Sequence, residues 1–324
     1  MKLEEKTLRI GAAILLAAVL LRILAPIDLS YLFSKDGFVS MMLFLGTGRW
    51  IEATEAPQVP SAKPPQAETP PQEVAVFSPQ ELTSLSLHNP QALTVDLQNA
   101  LYTPLSWQLA DGEPAVLIVH SHATEAFANT DQWRSQDTSY NMVSVGDRLG
   151  ALLENAGIQV IHDRTIHDSF SYDAAYGNSR AAIENYLKQY PSIRLVLDLH
   201  RDAAEDARGN QVSYTVSYKE QNAATMMLVV SAYDYESGGT QWQRNLAFAT
   251  KLQLQLEQLC PGSCRPLALR LFDFSQDISP TGLLIEMGFA GNKQEEALHA
   301  ADLLADAIIA LQNGSQVVTP VISQ

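Results

Sequence analysis

Three short apolar runs in this chain each deliver a side chain that can bind a metal or move a proton. Ala115-Val116-Leu117-Ile118-Val119 runs into His120-Ser121-His122-Ala123-Thr124-Glu125. Leu195-Val196-Leu197-Asp198-Leu199 runs into His200-Arg201-Asp202, and Gly282-Leu283-Leu284-Ile285 into Glu286-Met287-Gly288-Phe289. A catalytic zinc takes three nitrogen or oxygen ligands and keeps a fourth position open. Bound there, it lowers the pKa of water towards ~7 and polarises a carbonyl. A neighbouring carboxylate then accepts the proton and hands it to the leaving amine. His122, Glu125 and His200 can supply the ligands, and Glu286 can supply the base. A carboxylate set among Leu284, Ile285, Met287 and Phe289 costs several kcal/mol to bury unpaired, so it should face a metal, a cation or a cleft. Either histidine of the His-Ser-His segment can reach a metal. His122 is favoured, because it lies beyond the apolar run and nearer Glu125. His120 then becomes a supporting or substrate-contacting residue, together with Arg201, Asp202 and Asn292.

The elements that must position these groups are readable from the same runs. Continuous Val, Ile and Leu with flanking polar residues mark strands covered on both faces, as in a parallel sheet. In such sheets ligands bind beyond the carboxyl ends of the strands. Strands are expected at 115–119, 158–161, 195–199, 212–218, 226–232, 268–272 and 283–286. Helices are expected at 141–156, stopped by Gly157, and at 174–189. Two more are expected at 240–259, with Leu246, Phe248, Leu252, Leu256 and Leu259 facing inward, and at 293–311, with Asn292 as N-cap. A small edge strand or turn and a short helix fit 82–109. The alternation predicts an α/β domain, a three-layer sandwich with a mainly parallel central sheet and helices on both faces.

Composition narrows the function. The net charge of -15 argues against nucleic-acid binding, which needs Lys and Arg to neutralise phosphates. No glycine-rich phosphate loop follows a strand, and no Gly-x-Ser-x-Gly elbow accompanies Ser121. His88, His162, His167 and His299 have no comparable context and read as ordinary surface or partly buried residues. Cys260 and Cys264 lack a second Cys or His pair to complete a metal site, so they form either a small disulfide loop or two free thiols.

The N-terminus reads as an anchor. Lys2, Lys6 and Arg9 precede an apolar stretch from Ile10 to Ile27, broken only by Arg22, which is about the ~20 residues that cross a bilayer. The basic flank predicts a cytoplasmic N-terminus and an exported remainder. The expected organisation is a cytoplasmic flank and transmembrane helix over 1–30, and a membrane-proximal segment and Pro-rich tether over 31–76. A catalytic domain over 77–313 and a flexible tail over 314–324 follow.

The three motifs together resemble the stage II sporulation protein P family. Val116 to Phe127 matches its VLIYHTHTTESY segment, with Ser121 in place of the usual Thr; Asp198 to Ala203 matches DIHRDA; Leu283 to Phe289, then Asn292 and Glu295-Glu296-Ala297, match LLIEVGFNTNTLEEA. The resemblance implies a zinc N-acetylmuramoyl-L-alanine amidase that degrades peptidoglycan during engulfment, with endopeptidase action on cross-links also attributed to the family. It implies a stage II sporulation protein D-like lytic transglycosylase partner and a membrane scaffold. It assigns His122, Glu125 and His200 to zinc and Glu286 to the base. Two other readings are a cell-wall zinc carboxypeptidase or endopeptidase and a non-catalytic wall-binding module on a stalk; wall-fragment products and metal content separate them from the amidase.

The single-pass topology has a direct check. A reporter that functions only in the exported space should be active when fused after Gln324, and activity of a cytoplasm-only reporter in its place would overturn the orientation.

Overall fold

The computed structural model describes Phe77 and residues 80–105, 108–128 and 133–314. The expected anchor, the membrane-proximal segment and tether, and the tail from 315 onward lie outside the described residues. Among the described residues no helix is long and apolar enough to cross a membrane.

A 3-10 turn, Glu81–Ser84, precedes β1 (Leu87–His88) and α1 (Leu97–Tyr102). Then come β2 (Val116–Val119), α2 (Met142–Asn155), β3 (Val160–His162) and α3 (Ala175–Gln189). β4 (Leu195–Asp202), β5 (Thr215–Tyr218), β6 (Gln221–Ala224) and β7 (Met227–Ser231) follow. The domain closes with α4 (Gln241–Leu259), β8 (Leu267–Arg270), β9 (Gly282–Phe289) and α5 (Gln294–Gly314). Seven strands form one sheet in the order β1-β8-β7-β9-β4-β2-β3, and β5 and β6 form a separate antiparallel hairpin. Every pairing in the large sheet is parallel except β7 with β9. The sheet is mainly parallel, as expected, but that one interface reverses β7, β8 and β1.

Strand alternation divides the core. Val116, Ile118, Leu195, Leu197, Leu199, Leu283, Ile285 and Met287 pack into one large cluster with the apolar stripes of α2, α4 and α5. Leu117, Val119 and Val196 face the other way, onto Ile183 of α3 and Ile193. On that second side Phe274 packs against Val229, Ala268 and Leu284, so the loop between β8 and β9 covers the part of the sheet that α3 does not. Each fully buried Leu or Ile contributes about 1.5–3 kcal/mol.

Local sequence explains the element ends. Asn141 caps α2 by accepting from Val143 N, and the helix stops at Gly157, whose φ of +85° suits glycine. Several expectations need correction. Leu259 is 38% exposed and takes no part in the stripe of α4, because it falls in the final turn as the helix leaves the sheet. The 268–272 strand ends at Arg270, leaving Leu271 and Phe272 exposed. Asn292 does not cap α5. Its Oδ1 accepts from Phe289 N, and its amide donates to Tyr214 O and Glu296 Oε2, so it closes the turn after β9. β6 was not expected, since Gln221 and Asn222 carry no apolar alternation; the hairpin turn at Lys219 and Glu220 makes it a strand.

The pairing of β4 with β9 carries an irregularity that matters. His200 lies opposite Glu286, but Asp202 lies opposite Phe289, so β9 spends one residue more than its partner there. Such bulges re-aim side chains beside functional edges. Gly288 takes the strain: its φ is +107°, and a Cβ on it would stand 2.7 Å from the Ala224 Cβ. Gly288→Ala should therefore destabilise the fold by about 2–4 kcal/mol, combining left-handed strain with overpacking. Urea unfolding measures this, and an unchanged midpoint would refute the account.

Candidate functional site

Asp198, His200 and Glu286 sit at alternating positions of β4 and β9 on the α3 side of the sheet, near the carboxyl ends of these strands. His122 reaches them from the turn after β2. That turn is pinned by Ser121, whose N and Oγ donate to Asp198 Oδ1 (2.9 Å) and Oδ2 (2.6 Å). The His122 ring then stands 5.5 Å from that of His200, at 80°. Tyr172 stacks on His122 at 3.9 Å, and Tyr176, from the first turn of α3, meets its edge at 5.0 Å and lies parallel to His200 at 6.1 Å. Phe272 and Phe274 stand against Tyr176, completing an aromatic wall.

Glu125 joins from the same turn. Its Oε2 accepts from Arg201 N (2.9 Å) and lies 3.5 Å from His200 Nδ1. Arg201 also donates from Nε to Ala126 O and from Nη2 to Trp133 O, so a strand residue clamps the loop that carries Glu125. The structure thus brings His122, Glu125, His200 and Glu286 to one edge. Among the described residues, no group of three or more His, Cys, Asp or Glu side chains is closed around a metal position. Three buried atoms here have no hydrogen bond: His122 Nδ1, His200 Nε2 and Glu286 Oε2. His122 Nδ1 faces Asp168 Oδ2 at 3.8 Å. His200 Nε2 lies 3.0 Å from Asp198 Oδ1, off the line that a hydrogen bond needs.

The electrostatics follow from burying so many ionisable groups together. Burial alone would lower the pKa of His200, but the Asp198 and Glu125 carboxylates overcome it and raise it well above the usual value. Burial would raise Glu125, but His200 and Arg201 bring it below the ordinary carboxylate range. Burial pushes Glu286 up to about 8; the charges of Glu125 and Asp202 add to this, and His200 opposes it. Tyr176, buried and ringed by Asp198, Glu125 and Glu286, has its pKa raised and keeps its proton.

The remaining sequence candidates lie elsewhere. His120 is the last residue before the turn, and alternation sends it to the α2 side. There its Nδ1 meets Leu199 O at 3.2 Å and its Nε2 meets His162 Nε2 at 2.8 Å. Burial, with His162 beside it, pushes His120 down to about 3, so it is a neutral, fully buried packing partner on the side of the sheet away from His200 and Glu286. Asp202 accepts from Arg265 Nη1 (2.6 Å) next to the bulge, and Asn292 is occupied in its turn. His162 is partly buried, as expected, and also pairs with Asp147; His167 is more deeply buried than expected, against Asp163 at 2.9 Å. Cys260 and Cys264 are free thiols.

Sequence reasoning missed Asp198, Asp168, Tyr172 and Tyr176. Asp198 was findable: a carboxylate inside an apolar strand, two residues before His200, shares its face. Asp168 accepts from Thr124 N and Oγ1 and from Arg134 Nη1, tying together loops that no local pattern connects.

The family model described as Stage II sporulation protein P matches residues 50–309. A curated protein of that name from Bacillus subtilis is 25% identical over 219 residues, which cover 61% of this chain and 51% of that protein; the chain thus spans about half the length of this relative. Similar solved structures include the N-acetylmuramoyl-L-alanine amidase AmiC2 of Nostoc punctiforme, 14% identical with a TM-score of 0.41 over 62% of this chain and 98% of that one. The CwlD amidase from Clostridioides difficile, solved in complex with the GerS lipoprotein, is 15% identical with a TM-score of 0.39 over 61% of this chain and 97% of that one.

The loop that leads to Asp168 has its own anchor. Asp163 accepts from Thr165 N and pairs with His167, whose carbonyl in turn accepts from Asn178 Nδ2. Burial would raise Asp163, but these partners hold it down at about 2, against 3.8 for a free aspartate. A depressed carboxylate stabilises the fold above its unfolded pKa and loses that contribution as pH falls through the folded one. Asp163→Asn should therefore cost stability at pH 7, on the order of 1–3 kcal/mol. The gap to wild type should shrink between pH 4 and pH 2; a gap that stays constant down to pH 2 would exclude the linkage.

Proposed function

The chain belongs to the stage II sporulation protein P family, and from that premise we propose that it is a zinc-dependent peptidoglycan hydrolase cutting the amide between N-acetylmuramic acid and L-alanine. The observation that carries the reading is the meeting of His122, Glu125, His200 and Glu286 at one sheet edge with three buried polar atoms unpartnered. A buried polar atom without a partner is costly, and in native structures it asks for a ligand or an ion. Two imidazoles and a carboxylate are the donor types that suit zinc. His122, Glu125 and His200 would hold the ion. Bound there, zinc would supply the positive charge that acidifies water and polarises the scissile carbonyl.

The rest is work for the chain's own residues. Glu286 accepts a proton at its carboxylate and returns it to the departing amine. Its burial places its affinity for protons near neutrality, where an acid–base group is most effective. Asp198, beside His200 Nε2 and bonded to the Ser121 turn, orients both imidazole-bearing segments at once. Tyr172, Tyr176, Phe272 and Phe274 wall off the site and limit water. The membrane anchor at the N-terminus, extracytoplasmic placement, a role in engulfment, and the lytic transglycosylase and scaffold partners belong to the same proposal.

One set of preparations tests it. Wild type should bind about one zinc per chain and release stem peptides from purified sacculi. His200→Ala should lose most of the metal. Glu286→Gln should keep the zinc and still bind sacculi while turnover falls by on the order of 10²–10⁴. Mass spectrometry of the products separates amide cleavage from cross-link cleavage. Full zinc in His200→Ala removes it from the ligand set; undiminished cleavage in Glu286→Gln removes it as the base; a zinc-free wild type that only binds sacculi leaves a wall-binding module.

A further inference from the structure

We propose that Arg134 is a specificity residue of this site, binding a carboxylate on the peptide portion of the substrate. The proposal rests on the reading of the substrate as a wall peptide. It starts from a cation held rigidly at the site's mouth on a chain of net charge -15.

The Arg134 backbone is fixed. It pairs in antiparallel fashion with Glu125, while Ser135 N donates to Thr124 O (2.7 Å) and Ala126 N donates to Trp133 O (3.1 Å). The side chain is fixed as well. Nη1 donates to Asp168 Oδ2 (3.2 Å) and Thr124 Oγ1 (3.3 Å), and the Asp168 carboxylate is fully buried. The guanidinium carbon lies 4.2 Å above the centre of the Tyr172 ring, and the same ring stacks on His122 at 3.9 Å. One aromatic ring therefore touches both this cation and a proposed zinc ligand.

The orientation leaves donors to spare. A guanidinium has five N–H groups. Among the described residues, the Nε and Nη2 groups of Arg134 make no hydrogen bond, and the side chain is 43% exposed. Nε and Nη2 together form the edge that grips a carboxylate in two parallel bonds. Because stacking and Asp168 already immobilise the group, little entropy is lost when it binds.

The other arginines at this edge are either buried or already paired with a carboxylate. Arg201 is buried and gives its donors to Glu125, Ala126 O and Trp133 O. Arg265 donates from Nη1 to Asp202 and lies on the Phe289 ring; its Nε and Nη2 make no hydrogen bond but are buried, closed to a ligand arriving from solvent. Arg164 is engaged by Asp147, and Arg180 by Asp277. Tyr172, 50% exposed, and Phe272, likewise 50%, flank the opening with apolar surface for the rest of a peptide. A carboxylate close to the scissile amide, either along the stem or at its C-terminus, matches this arrangement.

The test uses the zinc-loaded protein and muramyl peptides in matched pairs. One pair differs in an internal α-carboxylate, free or carboxamide; the other differs in the C-terminal carboxylate, free or amidated. Wild type should prefer the free acid in one pair by about 10- to 100-fold in kcat/KM, the range for a hydrogen bond to a charged group. The pair that responds identifies which carboxylate is read. Arg134→Gln should bring that ratio close to one, and Arg134→Lys, which keeps the charge but not the fork, should restore only part of it. Ratios are unaffected by a general loss of active protein, and Arg134→Lys serves if Arg134→Gln does not fold. Calorimetric binding of the same pairs to Glu286→Gln reads the preference without turnover, so an inactive wild type would count against the hydrolase reading alone. Equal handling of both members of each pair by wild type, or an unchanged preference in Arg134→Gln, overturns the role.

Discussion

The register of β4 against β9 is the constraint on which the site depends. It sets His200 opposite Glu286, and one residue later the bulge at Met287 and Gly288 ends the regular ladder. Slipping a strand by a single residue would turn its whole chemical set to the other face of the sheet. A slip of β4 would send Asp198 and His200 into the cluster formed with α2, α4 and α5 and turn Leu197 and Leu199 towards Tyr176; a slip of β9 would do the same to Glu286 and Ile285. The apolar residues between the chemical ones therefore do more than fill space. Their burial makes the wrong register expensive and so protects the spacing of the functional groups.

That arrangement gathers four carboxylates and two imidazoles into a poorly hydrated corner. Burying charges is unfavourable unless each finds a partner, and paired ions rarely stabilise a fold beyond what hydrophobic residues would. The corner offsets most of its cost through Asp198 with Ser121, Glu125 with Arg201, and Asp168 with Thr124. Glu286 has no such offset on Oε2. A domain that tolerates this local conflict while its strands and helices agree with one another elsewhere concentrates its frustration at the candidate site.

Much of this was legible in the chain. Continuous apolar runs revealed β2, β4, β7 and β9, and 3.6-residue stripes revealed α2, α3, α4 and α5, because burial on one or both faces writes itself into local composition. The four residues that meet at the candidate site were legible for a related reason: a polar group ending an apolar run must be accounted for. The antiparallel turn at β7 and β9 was not legible, since the β5–β6 hairpin before it has a weak pattern and strand direction leaves no mark on a five-residue run such as Met227–Ser231. The exclusion of His120 depended on where β2 ends, a matter of one residue. The roles of Asp168, Tyr172 and Arg134 depended on loops that meet only in three dimensions.

The two-residue β1 has a consequence in time. Leu87 pairs with Leu267, and His88 with Ala268, across some 180 positions of chain, and α1 rests near α4, its Thr103 carbonyl and Ala100 carbonyl both accepting from Lys251 Nζ. Contacts so distant along the chain are slow to form, because the intervening loop must close first. A ribosome delivers residues 87–102 long before their partners at 251–268 exist. The earliest part of the domain to emerge is therefore among the last to dock, and it must wait unpaired until most of the sheet has assembled.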